Sequence, residues 1–195
     1  MSGWPVRRTF VLASASPRRS EIVRAMGLRF RVVSTELDEA PRPHEKPAPH
    51  VRRLAREKAV AARSLRPSRT ALFVGADTIV AIGSRILGKP ASAEDAVSML
   101  RRLSGRTHQV LTGVAILDGR NGRVHSAVEV TEVRFRSLSQ REIVGYVRTG
   151  EPMDKAGAYA IQGGAATFVD WIRGNYLNVV GFPATSFLRL LRRTH

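Results

Sequence analysis

Ser14-Ala15-Ser16-Pro17-Arg18-Arg19 joins an apolar run, Thr9 to Ala13, to a helical pattern. A strand ending there and opening a helix gathers backbone N–H groups, the positive end of the helix dipole, the Ser14 and Ser16 hydroxyls and two guanidiniums. These are the donors a phosphate chain requires. The bland alternative is a capped helix with solvated arginines. The GxxxxGK loop of kinases and GTPases is missing, which removes the main support for those chemistries. Asp77 follows Leu72-Phe73-Val74-Gly75-Ala76, so its carboxylate is expected to emerge at a strand end. There it would act as a general base for water, as a ligand of Mg²⁺, or as an Asx turn closing the strand. Asp38 and Glu39 are candidates for a second acidic cluster, or for a solvated loop.

Of the 32 basic residues only four are lysines, Lys46, Lys58, Lys89 and Lys155. In so arginine-rich a chain, a lysine inside a motif is a candidate for work that needs a compact ammonium. Lys89, in Gly88-Lys89-Pro90, and Lys58, in a helical Arg-Glu-Lys run, could each neutralise phosphate charge, although Lys58 fits a wet helix face equally well. Glu151 to Gly163 holds Lys155, two of its glycines at 157 and 163, and Gln162, whose amide can both donate to and accept from a base edge. His108 is alone and reads as structural.

The elements that would position these groups follow from periodicity and punctuation. Ser16 is the expected N-cap and Pro17 the first helical residue of a helix that carries Ile22, Val23 and Met26 inward and stops at Gly27. A strand at 28–34 leads into an acidic and then proline-rich loop, 35–49, in whose Pro41 to Pro49 stretch no ligand is placed. A helix at 50–65 and a strand at 71–76 follow, continuing past Asp77 and Thr78 into 79–82 and a Gly83-Ser84 hairpin. Ser92 opens the next helix, strands are expected at 109–117 and 124–135, and Ser139 with Glu142 forms a capping box. A strand at 166–172 and a helix from Pro183 complete the chain. Alternation at first and hairpins in the middle predict an α/β fold with a mixed sheet flanked by helices, as one domain over 1–195.

Cysteine is absent, so disulfides, thiolate catalysis and Cys-ligated zinc are excluded. The apolar run after Arg7 and Arg8 is too short for a signal peptide, and nothing approaches a membrane span, which predicts a cytoplasmic protein. The formal charge of +16 invites a nucleic-acid-binding reading. The arginines are scattered, with no basic tail and no stacking aromatics, so surface solvation plus an anion-binding cleft is preferred.

Leu12 to Arg19, Gly75 to Val80, Leu87 to Pro90, Leu103 to His108, Gly150 to Gly163 and Asn178 to Pro183, in this order, resemble the Maf-like nucleoside triphosphate pyrophosphatases over about residues 9 to 192. The resemblance implies two lobes around an elongated cleft, as in the inosine-triphosphate pyrophosphatases. It also implies hydrolysis of a nucleoside triphosphate to monophosphate and pyrophosphate with a divalent cation, Mg²⁺ or Mn²⁺. Asp77 matches the family's catalytic proton acceptor. Arg18, Thr78 and Gln162 match the pattern of the branch acting on dTTP and UTP, where the branch acting on methylated GTP carries tryptophan, glutamine and glutamate. Ser14, Arg19, Lys58, Lys89 and Glu39 match polar positions for phosphate or metal, with Glu39 and Asp77 as the metal's expected ligands and Lys89 set against the departing pyrophosphate. A cell-division role in septum formation comes with the family name and stands as a rival, and dimerisation is left open.

Overall fold

The computed structural model describes residues 8 to 194, so most of the N-terminal stretch read for a targeting signal lies outside the described residues. Strands β1 (Phe10–Ala13), β2 (Phe30–Val32) and β3 (Leu72–Ile82) pair in parallel in the order β2-β1-β3. β5 (Thr107–Asp118), β6 (Val124–Phe135) and β7 (Val169–Arg173) extend the sheet antiparallel from β3, and β4 (Arg85–Leu87) returns along β3 as a hairpin, giving seven strands. The mixed sheet expected from the sequence is therefore present.

One edge of β3 shapes the molecule. β1 pairs with Leu72 to Gly75, and β4 pairs with Val80 to Ile82. Between them, Ala76 to Ile79 have no strand on that side among the described residues, while β5 holds their other edge from Val114 to Leu111. The expectation that Asp77 stands at a strand end is thus corrected. β3 runs on for 11 residues through Asp77, and the strand that ends is its neighbour β1. Continuous pairing with β5 keeps β3 extended where a turn was an option.

The long helix α2 (Pro47–Leu65) covers one face, packing Ala55, Ala59 and Ala62 on Phe73 and Ala115, and Val51 on Ile79 and Leu111. Two prolines assigned to the preceding loop, Pro47 and Pro49, lie in its first turn, where a missing N–H costs nothing. The other face carries α1 (Pro17–Ala25), α3 (Ala93–Leu103), α4 (Gln140–Arg148) and α6 (Ala184–Leu191) on Leu12, Leu72, Val74 and Val114. The Ser92 cap and the Ser139–Glu142 capping box form as expected. The strand expected at 166–172 begins instead at Val169, after a 3₁₀ turn over Gly164–Phe168. A short helix not foreseen, α5 (Tyr176–Val180), is nucleated by the Asn175 side chain, which accepts from the Leu177 and Asn178 amides.

α2 sits unusually close to the sheet because two strand positions facing it have no side chain. A Cβ at Gly75 would lie 2.0 Å from the Ala55 carbonyl oxygen, and one at Gly113 would lie 2.1 Å from that of Val51. Neither backbone atom can give way locally. Gly113→Ala is therefore expected to lower stability by about 3 kcal/mol, the upper range for overpacking, as a fall in the urea midpoint. An unchanged midpoint would show that the helix can lift freely.

His108 is buried among Phe135 and Tyr159, with Nε2 2.9 Å from the Tyr159 hydroxyl. That is the structural role read for it. Burial pulls its pKa from 6.5 to about 4. The unfolded chain takes up this proton near pH 6.5 and the folded chain only near 4, so the contribution is complete above 6.5. It is lost on acidification towards 4, at up to about 1.4 kcal/mol per pH unit. His108→Gln should flatten that part of the stability profile relative to the parent between pH 6.5 and 4, measured by urea unfolding at each pH.

Candidate active site

A cavity of about 860 Å³ opens at the gap in the β3 edge. Its walls are the Ala13–Arg19 turn, α2 at His50 and Lys58, the loop at Ser34 to Pro41, the β4 end at Gly88 and Lys89, and the 3₁₀ segment from Asp154 to Gln162. Ser14, Ser16, Arg18, Arg19, Glu39, Lys58, Asp77, Thr78, Lys89, Lys155 and Gln162 all line this one cavity, whereas Asp38, read with Glu39 as a second acidic cluster, does not, its Oδ1 accepting the Ala40 amide at 2.9 Å. Pro41 lines it too, so the stretch from Pro41 to Pro49, where no ligand was placed, also borders the cavity.

Asp77 and Thr78 are consecutive on a strand and so face opposite sides of the sheet. Asp77, 6% exposed, looks towards α2, where Lys58, equally buried, places Nζ 2.7 Å from Asp77 Oδ1 and 2.6 Å from Glu39 Oε1. Lys58 is thus no wet-face lysine. Partial burial raises the Glu39 pKa, but the bond to Lys58 and the field of Lys58, Lys89 and Arg19 outweigh it and hold the carboxyl below its ordinary value. The loop that carries Glu39 is tied to α2 beyond it. Arg53 donates to Glu45 at 2.7 Å and to the Ala40 carbonyl at 3.2 Å, and Arg53 holds Glu45 well below the usual carboxylate range.

Thr78 looks to the other side. Arg19 donates through Nε to the Gly181 carbonyl at 2.8 Å, through Nη1 to Ser14 Oγ at 3.1 Å and through Nη2 to Thr78 Oγ1 at 3.0 Å. Burial lowers the Arg19 pKa, opposed by the charges of Asp77 and Glu39. Arg18 differs, since its Nε is buried with no hydrogen-bond partner among the described residues. Ser16 occupies the N-cap but its side chain caps nothing, and Ser14 Oγ accepts the Ser16 amide at 3.2 Å instead, a correction to the expected cap. Lys89 and Gln162 are exposed at the rim, and the Lys155 ammonium is paired with Asp154.

A profile described as Maf-like protein matches residues 9–194. The chain is 52% identical over 185 residues to a dTTP/UTP pyrophosphatase of Citrifermentans bemidjiense, covering 94% of each chain. It is 53% identical to one of Geobacter sulfurreducens, covering 94% of this chain and 95% of that one.

The chain belongs to the Maf-like protein family.

Another relative, a dTTP/UTP pyrophosphatase of Pelotomaculum thermopropionicum, is 46% identical over 95% of this chain and 96% of its own. Among solved structures the Staphylococcus aureus Ham1 protein shares 14% identity with a TM-score of 0.43 over 66% of this chain and 72% of that chain, a likeness too slight to add to the fold.

In this Maf-like chain the sequence reading overlooked Thr112, which lies fully buried beneath Thr78, and the Gly181 carbonyl that anchors Arg19. A lone hydroxyl in Val110-Leu111-Thr112-Gly113-Val114 was the available signal for the first, and a backbone carbonyl leaves none for the second. It also overlooked the clamp on the Gln162 segment, where Tyr146 donates to Glu151 at 2.7 Å, accepts the Ala160 amide at 3.1 Å, and Glu151 accepts the Gly164 amide at 3.1 Å.

The cavity also fits a divalent ion in part. Lys58 engages one oxygen of Asp77 and one of Glu39, and the second oxygen of each carboxylate lies outside those pairs. Among the described residues no three His, Cys, Asp or Glu side chains are grouped to cage a metal. Mg²⁺ commonly takes one or two carboxylates and completes its shell with waters and phosphate oxygens, which this donor set allows.

Lys58→Met would leave Asp77 buried beside Glu39 without their shared cation. The expected loss is about 3 kcal/mol of stability, the scale for orphaning a buried charge. Adding Asp77→Asn should recover most of it in urea unfolding, and failure to recover would place the cost in packing of the lysine stem.

Proposed function

We propose that this protein hydrolyses dTTP and UTP to the nucleoside monophosphate and pyrophosphate, clearing or regulating these nucleotides in the cytoplasm. The observation that carries the reading is the Asp77–Lys58–Glu39 constellation set in a cavity ringed by Arg18, Arg19, Lys89 and Lys155. A buried carboxylate amid fixed cations suits attack of water on a phosphoanhydride whose negative charge the cations hold in place. Relatives named dTTP/UTP pyrophosphatase, about half identical over nearly the whole chain, support the same substrates. For location, the support is a cysteine-free composition and no helix among the described residues long and apolar enough to cross a membrane.

In this reading the triphosphate lies against the Ser14–Arg19 turn, with the Arg18 Nε–H as a donor awaiting an acceptor. Asp77 orients a water for attack on the α-phosphorus and takes its proton. The bond from that phosphorus to the bridging oxygen breaks, and pyrophosphate leaves against Lys89. Asp77 and Glu39 are the residues that would hold Mg²⁺ or Mn²⁺, which when bound supplies Lewis-acid polarisation of a phosphoryl oxygen. Gln162 at the rim has the donor and acceptor to read a base edge.

A panel of canonical triphosphates with Mg²⁺, resolved into monophosphate, pyrophosphate and orthophosphate, tests the assignment. dTTP and UTP should be turned over best with pyrophosphate as product, and orthophosphate release would point to a phosphomonoesterase instead. Asp77→Asn is expected to lower kcat by at least about 100-fold with an unchanged circular dichroism spectrum, the scale for loss of a positioned general base.

A further inference from the structure

Thr112 lies across the β3–β5 ladder from Thr78 and is 0% exposed. Its Oγ1 sits 3.1 Å from the Asn178 carbonyl oxygen and 3.0 Å from Thr78 Oγ1. A carbonyl oxygen can only accept, so the Thr112 proton goes to Asn178. Thr112 must then accept from Thr78 in the second contact. The remaining neighbour able to take the Thr78 proton, the Gly181 carbonyl at 3.4 Å, is already engaged by Arg19 Nε at 2.8 Å. The closer Thr112 oxygen at 3.0 Å therefore takes the Thr78 proton in preference to the distant, already engaged carbonyl. Arg19 Nη2 donates to Thr78 at 3.0 Å and uses one lone pair, which leaves a single further acceptor site on the hydroxyl of this cavity-lining residue.

We propose that Thr112 is a positioning residue: the chain Arg19 to Thr78 to Thr112 to the Asn178 carbonyl fixes Thr78 as an acceptor only, matched to an N–H or O–H donor of the bound nucleotide. This rests on the nucleotide-hydrolysis reading above. A hydroxyl free to rotate can serve a donor or an acceptor, whereas one whose proton is committed rejects an acceptor brought against it, leaving two lone pairs facing each other. The donors that dTTP and UTP share are the ring N3–H and the 3′-hydroxyl. Cytosine presents an acceptor at N3. A relay that withholds the Thr78 proton therefore supplies a means of preferring thymine and uracil over cytosine when Thr78 meets the base.

Thr112→Val is nearly isosteric, and the Asn178 carbonyl keeps the Gly181 amide at 3.0 Å as a donor, so the variant is expected to fold. It should lower kcat/KM for dTTP about tenfold, mainly through KM, the scale of one hydrogen bond. Thr112→Ser should stay within about twofold of the parent. In a Thr78→Val background, Thr112→Val should add nothing, because its effect passes through Thr78. Equal losses in both backgrounds, or a loss that serine does not repair, overturn the proposal. Loss of the preference for dTTP over dCTP in Thr112→Val assigns the matched donor to N3–H. An unchanged preference, with 2′,3′-dideoxythymidine triphosphate turned over about tenfold less well than dTTP by the parent but not by Thr78→Val, assigns it to the sugar. Nuclear magnetic resonance of the ligand-free protein gives a readout independent of turnover. Slow exchange of the Thr112 and Thr78 hydroxyl protons supports the relay, and rapid exchange overturns it. Absence of any triphosphate hydrolysis by the parent would sink the functional reading alone.

Discussion

The distance between α2 and the sheet governs the rest of this molecule. Gly75 and Gly113 leave the backbone of the helix resting on the backbone of the strands, and the alanines at 55, 59 and 62 keep the helix side of the contact equally thin. Lys58 rides on the same helix, so its ammonium reaches a carboxylate on the strand beneath while the aliphatic stem stays buried. A side chain at either glycine would raise the helix and carry Lys58 away from Asp77. Packing and site electrostatics are therefore one constraint, set by two absent Cβ atoms.

That constraint gains its use from the broken edge of β3. Where β1 stops and β4 has not begun, consecutive residues of one strand reach the same cavity from opposite faces of the sheet. Asp77 is delivered to the helix side with Lys58 and Glu39, and Thr78 to the other side with Arg19 and Gly181. An intact sheet would separate these groups by its own thickness. The two neighbouring strands need only differ in where they end.

Much of this was legible before the structure because the signals were local. Capping residues marked α3 and α4, and a hairpin turn marked β4, since each depends on a few adjacent residues. The rare lysines were informative as well, as three of the four, Lys58, Lys89 and Lys155, line the cavity. What could not be read was non-local. The extension of β3 past Asp77 depends on β5, thirty-odd residues downstream, and the burial of Lys58 depends on glycines in two distant strands. Thr112 looked like part of an apolar strand because its partners, Thr78 and the Asn178 carbonyl, come from other segments.

The two arginines of the first turn show how position divides labour between identical side chains. From sequence, Arg19 was the expected phosphate ligand and Arg18 the residue bearing on substrate choice. In the fold Arg19 spends three of its donors on Ser14, Thr78 and Gly181, tying the turn to the strand and to the segment after α5. Its positive charge still acts across the cavity, as the opposing pull of Asp77 and Glu39 on it indicates. Arg18 is the arginine with a donor to spare, since its buried Nε–H has no partner among the described residues. A buried guanidinium donor left unpaired costs about 1–3 kcal/mol, a cost that an anionic ligand accepting from it would remove. In the proposed function Arg18 would be the arginine that gains by meeting a phosphate, while Arg19 is held by Ser14, Thr78 and Gly181.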